Sequence, residues 1–206
     1  MQTLFIIRHG ETDFNKQGLI QGRGVNTSLN EEGRNQAQTF FQAYQNIKFA
    51  HVFASALLRS QQSVEPFKNL GYEIKISPAL DEMSWGIYEG HRADKEMNHI
   101  YKELITQWTN GKLDQRMEGG ESPLDLQKRQ QDFIQYELSA LEGNILICTH
   151  GRAMRSLLCT LIEEDLSGMD RFPHRNLTLY KLERQNGKYL ITESNNADHL
   201  KLDLIK

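Results

Sequence analysis

Two cysteines in 206 residues leave little room for a disulfide framework, and no Cys-x-x-Cys or similar ligand spacing marks a metal or redox site. Cys148 sits in an apolar run and Cys159 in a helix-like stretch, the ordinary setting of small buried hydrophobes. Long hydrophobic runs are absent too. The opening MQTLFIIRHG has no basic segment ahead of its short apolar run and meets Arg8 at once, so it reads as a strand and not as a secretion signal or membrane span. A cytoplasmic location with no membrane partner is the expectation. Positive charge is not in excess: 24 Lys and Arg stand against 27 Asp and Glu, a net charge of −3. No global field draws nucleic acid. Any anionic substrate therefore has to be held by a local cluster of cations. No internal repeat or low-complexity tract is present.

Hydrophobic residues at 38% and charged residues at 25% are ordinary values for a chain with a real core. Thr3 to Ile7, His51 to Ala54, Tyr72 to Ile76 and Asn144 to Thr149 read as strands. Asp13 to Ser28, rich in Gly, Asn and Gln, reads as a loop. Asn30 can cap a helix whose apolar face is Ala37, Phe40, Phe41 and Tyr44, and Ser55 one that runs through Leu57, Leu58 and Val64 to a stop at Pro66. A helix follows His150-Gly151, with Ala153, Leu157, Leu158 and Leu161 inside. Asn186-Gly187 between Leu177–Leu182 and Tyr189–Thr192 signals a hairpin. Helices alternating with buried strands predict an α/β fold, a largely parallel sheet covered on both faces, with an antiparallel addition at the end. One domain over 1–206 is expected, with an insertion at about 83–120 that carries a helix from Ala93 to Thr109. Ser122-Pro123-x-Asp125 then opens a helix with a capping-box pattern.

Arg8-His9-Gly10 and His150-Gly151-Arg152 are two strand-to-loop junctions of one kind. Ligands of open α/β sheets bind beyond the carboxyl ends of strands, so parallel strands can bring both histidines to one ligand. A lone histidine is more often structural; two in equivalent places, each beside Gly and Arg, favour function. Arg59 falls at the same edge, near a helix N-terminus that offers free N–H groups to an anion. Taken alone it reads as a surface arginine. Arg8, at the end of a buried strand, needs a partner, and a phosphate clamped by Arg8 and Arg59 satisfies both. Glu82 beside Met83 and Trp85 is a candidate acid, with Asp81 as rival and a solvated loop carboxylate as the plain alternative. A zinc site of His9, His150 and Glu82 is disfavoured by the two arginines beside it.

Five ordered motifs carry a resemblance: R-H-G-E-T-x-x-N (Arg8 to Asn15), S-x-L-x-R (Ser55 to Arg59), E-x-x-x-G-x-x-E-G (Glu82 to Gly90), G-G-E-S (Gly119 to Ser122) and T-H-G (Thr149 to Gly151). The chain resembles the phosphoglycerate-mutase-like branch of the histidine phosphatase superfamily over nearly its whole length. That resemblance implies a three-layer α/β/α fold with a six-stranded, mostly parallel mixed sheet. It implies a metal-independent phosphatase without cofactor, acting on a small phosphorylated metabolite through a phosphohistidine on His9. Arg8, Arg59 and His150 would hold the phosphate and Glu82 would donate the proton. Asn15, Gln21, Gly22 and Gly151 match phosphate or substrate positions. Arg23 opens a stretch, Arg23 to Leu29, one residue longer than the family's usual Arg-x-Asp-x-Pro-Leu, with Asn and Ser in place of Asp and Pro. Met83 to Gly90 is the shorter form typical of the broad phosphatases, without the basic segment of cofactor-dependent mutases. A mutase is the alternative, and a non-catalytic binding relative a weaker one. Trp85, Tyr88, His91, Lys95, Trp108 and Met117 are candidates to line the pocket. Glu121 is placed to touch substrate or only a helix dipole, and Asn176 to face the site.

Overall fold

The computed structural model describes residues 1–205. Its strands are β1 (Gln2–Arg8), β2 (Phe49–Ala54), β3 (Ile74–Ile76), β4 (Gly143–Thr149), β5 (Leu179–Gln185) and β6 (Lys188–Asn196). They form one sheet in the order β3-β2-β4-β1-β5-β6. The pairs β1–β4, β4–β2 and β2–β3 are parallel, and β5 is antiparallel to both of its neighbours, so β5 alone runs against the rest. Six α-helices accompany the sheet: α1 (Asp13–Gln17), α2 (Glu31–Tyr44), α3 (Leu58–Val64), α4 (Lys95–Thr109), α5 (Pro123–Phe133) and α6 (Gly151–Leu161).

The near-continuous apolar runs of β1 and β4 follow from burial on both faces. Leu4, Ile6, Ile145 and Ile147 pack with residues of α4, α5 and α6, including Trp108, Phe133 and Leu157. Their sequence neighbours Phe5, Ile7, Leu146 and Cys148 pack on the other side with Phe40 of α2 and Val64 of α3. Each such side chain taken out of water contributes roughly 1.5–3 kcal/mol. The result is the expected three-layer architecture.

Several local expectations hold. Asn30 caps α2 by accepting from Gly33 N–H at 2.8 Å. Ser122 and Asp125 form the reciprocal box at α5. Asn186 (φ 52°) and Gly187 (φ 86°) make the left-handed pair that a two-residue hairpin turn requires. Helix α3 stops at Val64, and the chain continues through Pro66 as a 3₁₀ turn.

Others are corrected. The stretch read as a loop from Asp13 contains α1, capped reciprocally by Thr12 and Asn15; the shorter Asn in place of the usual Glu or Gln hid the box. Ser55 does not cap α3, which starts at Leu58 behind Leu57; its hydroxyl meets His150 Nε2 and accepts from Leu57 N–H at 3.2 Å. The third strand covers three residues only and lies at the sheet edge. The hairpin strands begin at Leu179 and run on to Asn196. Helix α4 starts at Lys95, behind Asp94, which accepts from Met97 N–H at 2.8 Å.

Register places the functional end. Arg8 lies opposite Thr149 and Ala54 opposite Cys148. The next residue of each strand is held by one further bond, His9 N–H to Thr149 O at 3.0 Å and Ser55 N–H to Cys148 O at 3.2 Å. His9, Ser55 and His150 therefore leave the sheet side by side. The 83–120 segment closes on itself through Ile87 N–H to Glu118 O (3.1 Å) and Glu121 N–H to Ser84 O (2.9 Å). Among the described residues no helix is long and apolar enough to cross a membrane.

Candidate active site

His9 is buried, and its Nδ1 lies 2.7 Å from the carbonyl oxygen of Gly10. A carbonyl only accepts, so Nδ1 carries the proton. Burial first, then the charges of Arg59 and Arg8, hold the ring well below the usual histidine range. The ring is therefore neutral, and Nε2 carries a lone pair. His150 lies beside it, ring centroids 5.0 Å apart. Its Nδ1 is 3.2 Å from Arg59 Nε, and a guanidinium only donates, so this nitrogen is bare. The proton then sits on Nε2, which donates to Ser55 Oγ at 2.6 Å. Burial and the charge of Arg59 keep this ring neutral as well.

Arg59 is fully buried and also donates to the carbonyls of Val25 (2.6 Å) and Gly22 (3.3 Å). Desolvation brings it down to about 10, so it stays charged at neutral pH. Arg8 reaches Nδ1 of His174 from Nη1 at 3.4 Å, while its buried Nε has no hydrogen-bond partner. An orphaned donor on a cation is costly, and an anion satisfies it. Burial and then the charge of Arg8 push His174 down to about 3, so it accepts from Arg8 as a neutral ring.

Glu82 lies where the loop after β3 meets α6. Its Oε1 accepts from Met83 N–H (2.8 Å) and Ala153 N–H (2.9 Å), and its Oε2 from Arg152 N–H (3.1 Å). The Arg152 and Ala153 donors are free N–H groups of the α6 N-terminus. Arg8, His9, Glu82, Asn15 and Gln21 line a cavity of about 240 Å³ together with Ile20, Trp85, Tyr101 and Met117.

The remaining sequence candidates divide. Gln21 is clamped between Thr12 Oγ1 and Thr27 Oγ1, each at 2.7 Å. Gly22 leaves room for Glu89, whose Oε1 lies 2.0 Å from where a Cβ would stand, and Gly151 for His174 in the same way at 2.7 Å. Asn176 donates to His9 O at 2.9 Å and supports the backbone of His9 from outside the cavity. Arg23 and Glu121 are not among the lining residues: Arg23 pairs with Asp81 (3.4 Å) and Glu121 (3.6 Å), and Glu121 accepts from Arg129 and Ser84 N–H. Asp81, the rival acid, accepts from Ala56 N–H at 2.8 Å and stays outside too. Tyr88, His91, Lys95 and Trp108 do not line the cavity; Trp108 stacks behind Trp85 at 6.2 Å. The geometry of His9, His150 and Glu82 is not that of a cation site, since both His150 nitrogens and both Glu82 oxygens already have protein partners.

Ile20, Tyr101, His174 and the role of Ser55 were not read from the sequence. Tyr101 had a signal: with Leu104 and Trp108 it forms an apolar stripe at helical spacing on α4. His174, in Phe172-Pro173-His174-Arg175, had none.

Two neutral histidines and Arg8 at the strand ends of an α/β sheet, with Arg59 from the first turn of α3, make up the candidate site. The family model for the histidine phosphatase superfamily (branch 1) matches residues 4–197, and the chain belongs to that family. It is similar to a probable phosphoglycerate mutase, GpmB, of Erwinia tasmaniensis, 28% identical over 92% of this chain and 88% of that one. A putative phosphoserine phosphatase 2 of Hydrogenobacter thermophilus is 24% identical over 97% and 98%. Among solved structures, a putative α-ribazole-5′-P phosphatase of Escherichia coli superposes with a TM-score of 0.80 at 25% identity, covering 95% and 96%. Bacillus stearothermophilus YhfR reaches 0.85 at 24%, covering 97% and 100%.

Proposed function

We propose that this chain is a phosphomonoesterase that passes the phosphoryl group through Nε2 of His9. The observation that carries the reading is the tautomer of His9: Nδ1–H is fixed on Gly10 O, so the lone pair lies on Nε2 of a side chain that lines the cavity with Arg8 and Glu82. Phosphoryl transfer asks mainly for positioning and charge stabilisation. In the first step Nε2 bonds to phosphorus, the ester P–O bond breaks, and the leaving oxygen takes a proton from the Glu82 carboxyl. In the second, Glu82 as carboxylate takes a proton from water, the water oxygen bonds to phosphorus, and the P–N bond returns its electron pair to Nε2. Products are the alcohol and phosphate. Arg8, with its unpaired Nε, faces the anion. Arg59 adds positive charge from behind the histidines. His150 acts as a neutral ring that orients Arg59, where its motif implied a hold on the phosphate itself.

The test is phosphate release from small monoesters with EDTA present, comparing wild type with His9→Ala. Turnover that resists the chelator and falls at least about 10³-fold in the variant is expected, the scale of losing a nucleophile. Activity that survives in His9→Ala would rule the mechanism out.

A further inference from the structure

The cavity lining holds little charge. Arg8 is the one cation among its lining residues, and beyond Glu82 and His9 the wall is Asn15, Gln21, Ile20, Trp85, Tyr101 and Met117. We infer, resting on the phosphatase reading above, that the substrate is a phosphomonoester of an uncharged alcohol with an apolar or aromatic face, and that a second anionic group on the leaving alcohol is rejected.

Three observations support this. Three arginines around the cavity are already matched by acids. Arg152, whose guanidinium lies 5.4 Å from the Trp108 ring centroid, donates to Asp170 at 2.8 Å and to the Tyr101 hydroxyl at 2.5 Å. Arg23 and Arg129 share Asp81 and Glu121. A carboxylate or second phosphate entering beside this wall would lose its water and find no unmatched cation there, only the neutral side chains of Asn15, Gln21 and Tyr101.

The aromatic wall is also rigid. Trp85 meets Tyr101 edge to face at 5.6 Å and stacks on Trp108. Tyr101 is fixed in turn by Arg152, which follows the His150-Gly151 junction. A preformed apolar face of this kind favours a flat or apolar group without an ordering cost. Finally, about 240 Å³ falls below the range of roughly 300–1,000 Å³ common for drug-sized ligands, so phosphate and one small organic group fill it.

The experiment compares kcat/KM of the wild-type chain for phenyl phosphate, glycerol 3-phosphate and 3-phosphoglycerate; the last two differ by a carboxylate in place of a hydroxymethyl group. Phenyl phosphate is expected to exceed glycerol 3-phosphate, and glycerol 3-phosphate to exceed 3-phosphoglycerate, each by about ten-fold or more. If 3-phosphoglycerate matches or exceeds glycerol 3-phosphate, the specificity is overturned and the phosphatase reading stands. If phenyl phosphate does not exceed glycerol 3-phosphate, the role of the aromatic wall is overturned alone. No turnover of any of the three overturns the phosphatase reading, and the specificity with it.

Discussion

Arg59 points its nitrogens at three partners: Nε at His150, Nη1 at Val25 O and Nη2 at Gly22 O. A planar fork can do this and a lysine cannot. One side chain thus sets the His150 tautomer, holds the loop after Gln21 and supplies charge behind His9. Arg59→Lys keeps the charge but loses at least two of the bonds and releases the His150 ring. The expected outcome is a fall in kcat/KM of roughly 100-fold with a stability loss of about 2 kcal/mol, read from steady-state kinetics and urea unfolding. A lysine variant with wild-type kinetics would show that charge alone matters there. Ser55 is the matching partner on the other ring nitrogen, and its reading as a helix cap failed for a physical reason. The helix begins three residues later, and the buried Ser55 oxygen is shared between His150 and Leu57 N–H.

At the scale of elements, α6 joins the two halves of the site. Its first N–H groups are capped by Glu82 from the loop after β3, and Gly151 lies flat against His174, which receives Arg8. Gly151→Ala would put a methyl 2.7 Å from His174 Cε1. The expected cost is about 1–3 kcal/mol, with a drop in kcat/KM as Arg8 loses its support. Gly168→Ala is the control, since its nearest neighbour is 3.8 Å away, and it should change neither. A Gly151→Ala variant as stable and active as the control would show that His174 yields freely.

The same elements explain what the sequence could disclose. Strands β1 and β4 were legible because burial on both faces leaves an unbroken apolar run, and their aligned ends made His9 and His150 legible as a pair. Helices α2 and α5 were legible through their caps. Helix α1, with its Thr-x-x-Asn box, was not, nor were partners that only tertiary contact creates, such as His174 beneath Gly151 and Tyr101 held by Arg152. Arg23 and Glu121 looked like substrate contacts because they border the motifs, yet they pair with neighbouring charges outside the cavity.

Across the whole molecule, burial gives the histidines a common behaviour. His9, His51, His150, His174 and His199 all have their affinity for protons lowered, desolvation being the leading cause in each. The fold therefore refuses protons that the unfolded chain accepts below the ordinary value of 6.5. Where the unfolded state binds more protons, stability rises with pH. The contribution is neutral above about 6.5 and turns unfavourable as pH falls toward each folded value, about 3 for His174. Carboxylates with lowered values, such as Asp125, act only below their own ordinary 3.8, and Asp81, raised by burial, works in the opposite sense, so any fall in stability from pH 6.5 to 5 comes from the histidines. Urea midpoints measured over that window, without phosphate, are expected to fall steadily with acid. His174→Asn should flatten the slope by up to one proton's worth. A profile flat over the same window would mean that these rings ionise inside the fold. The lone pair on His9 would then be taken by a proton below about 6.5, and activity should fall with acid over the same window.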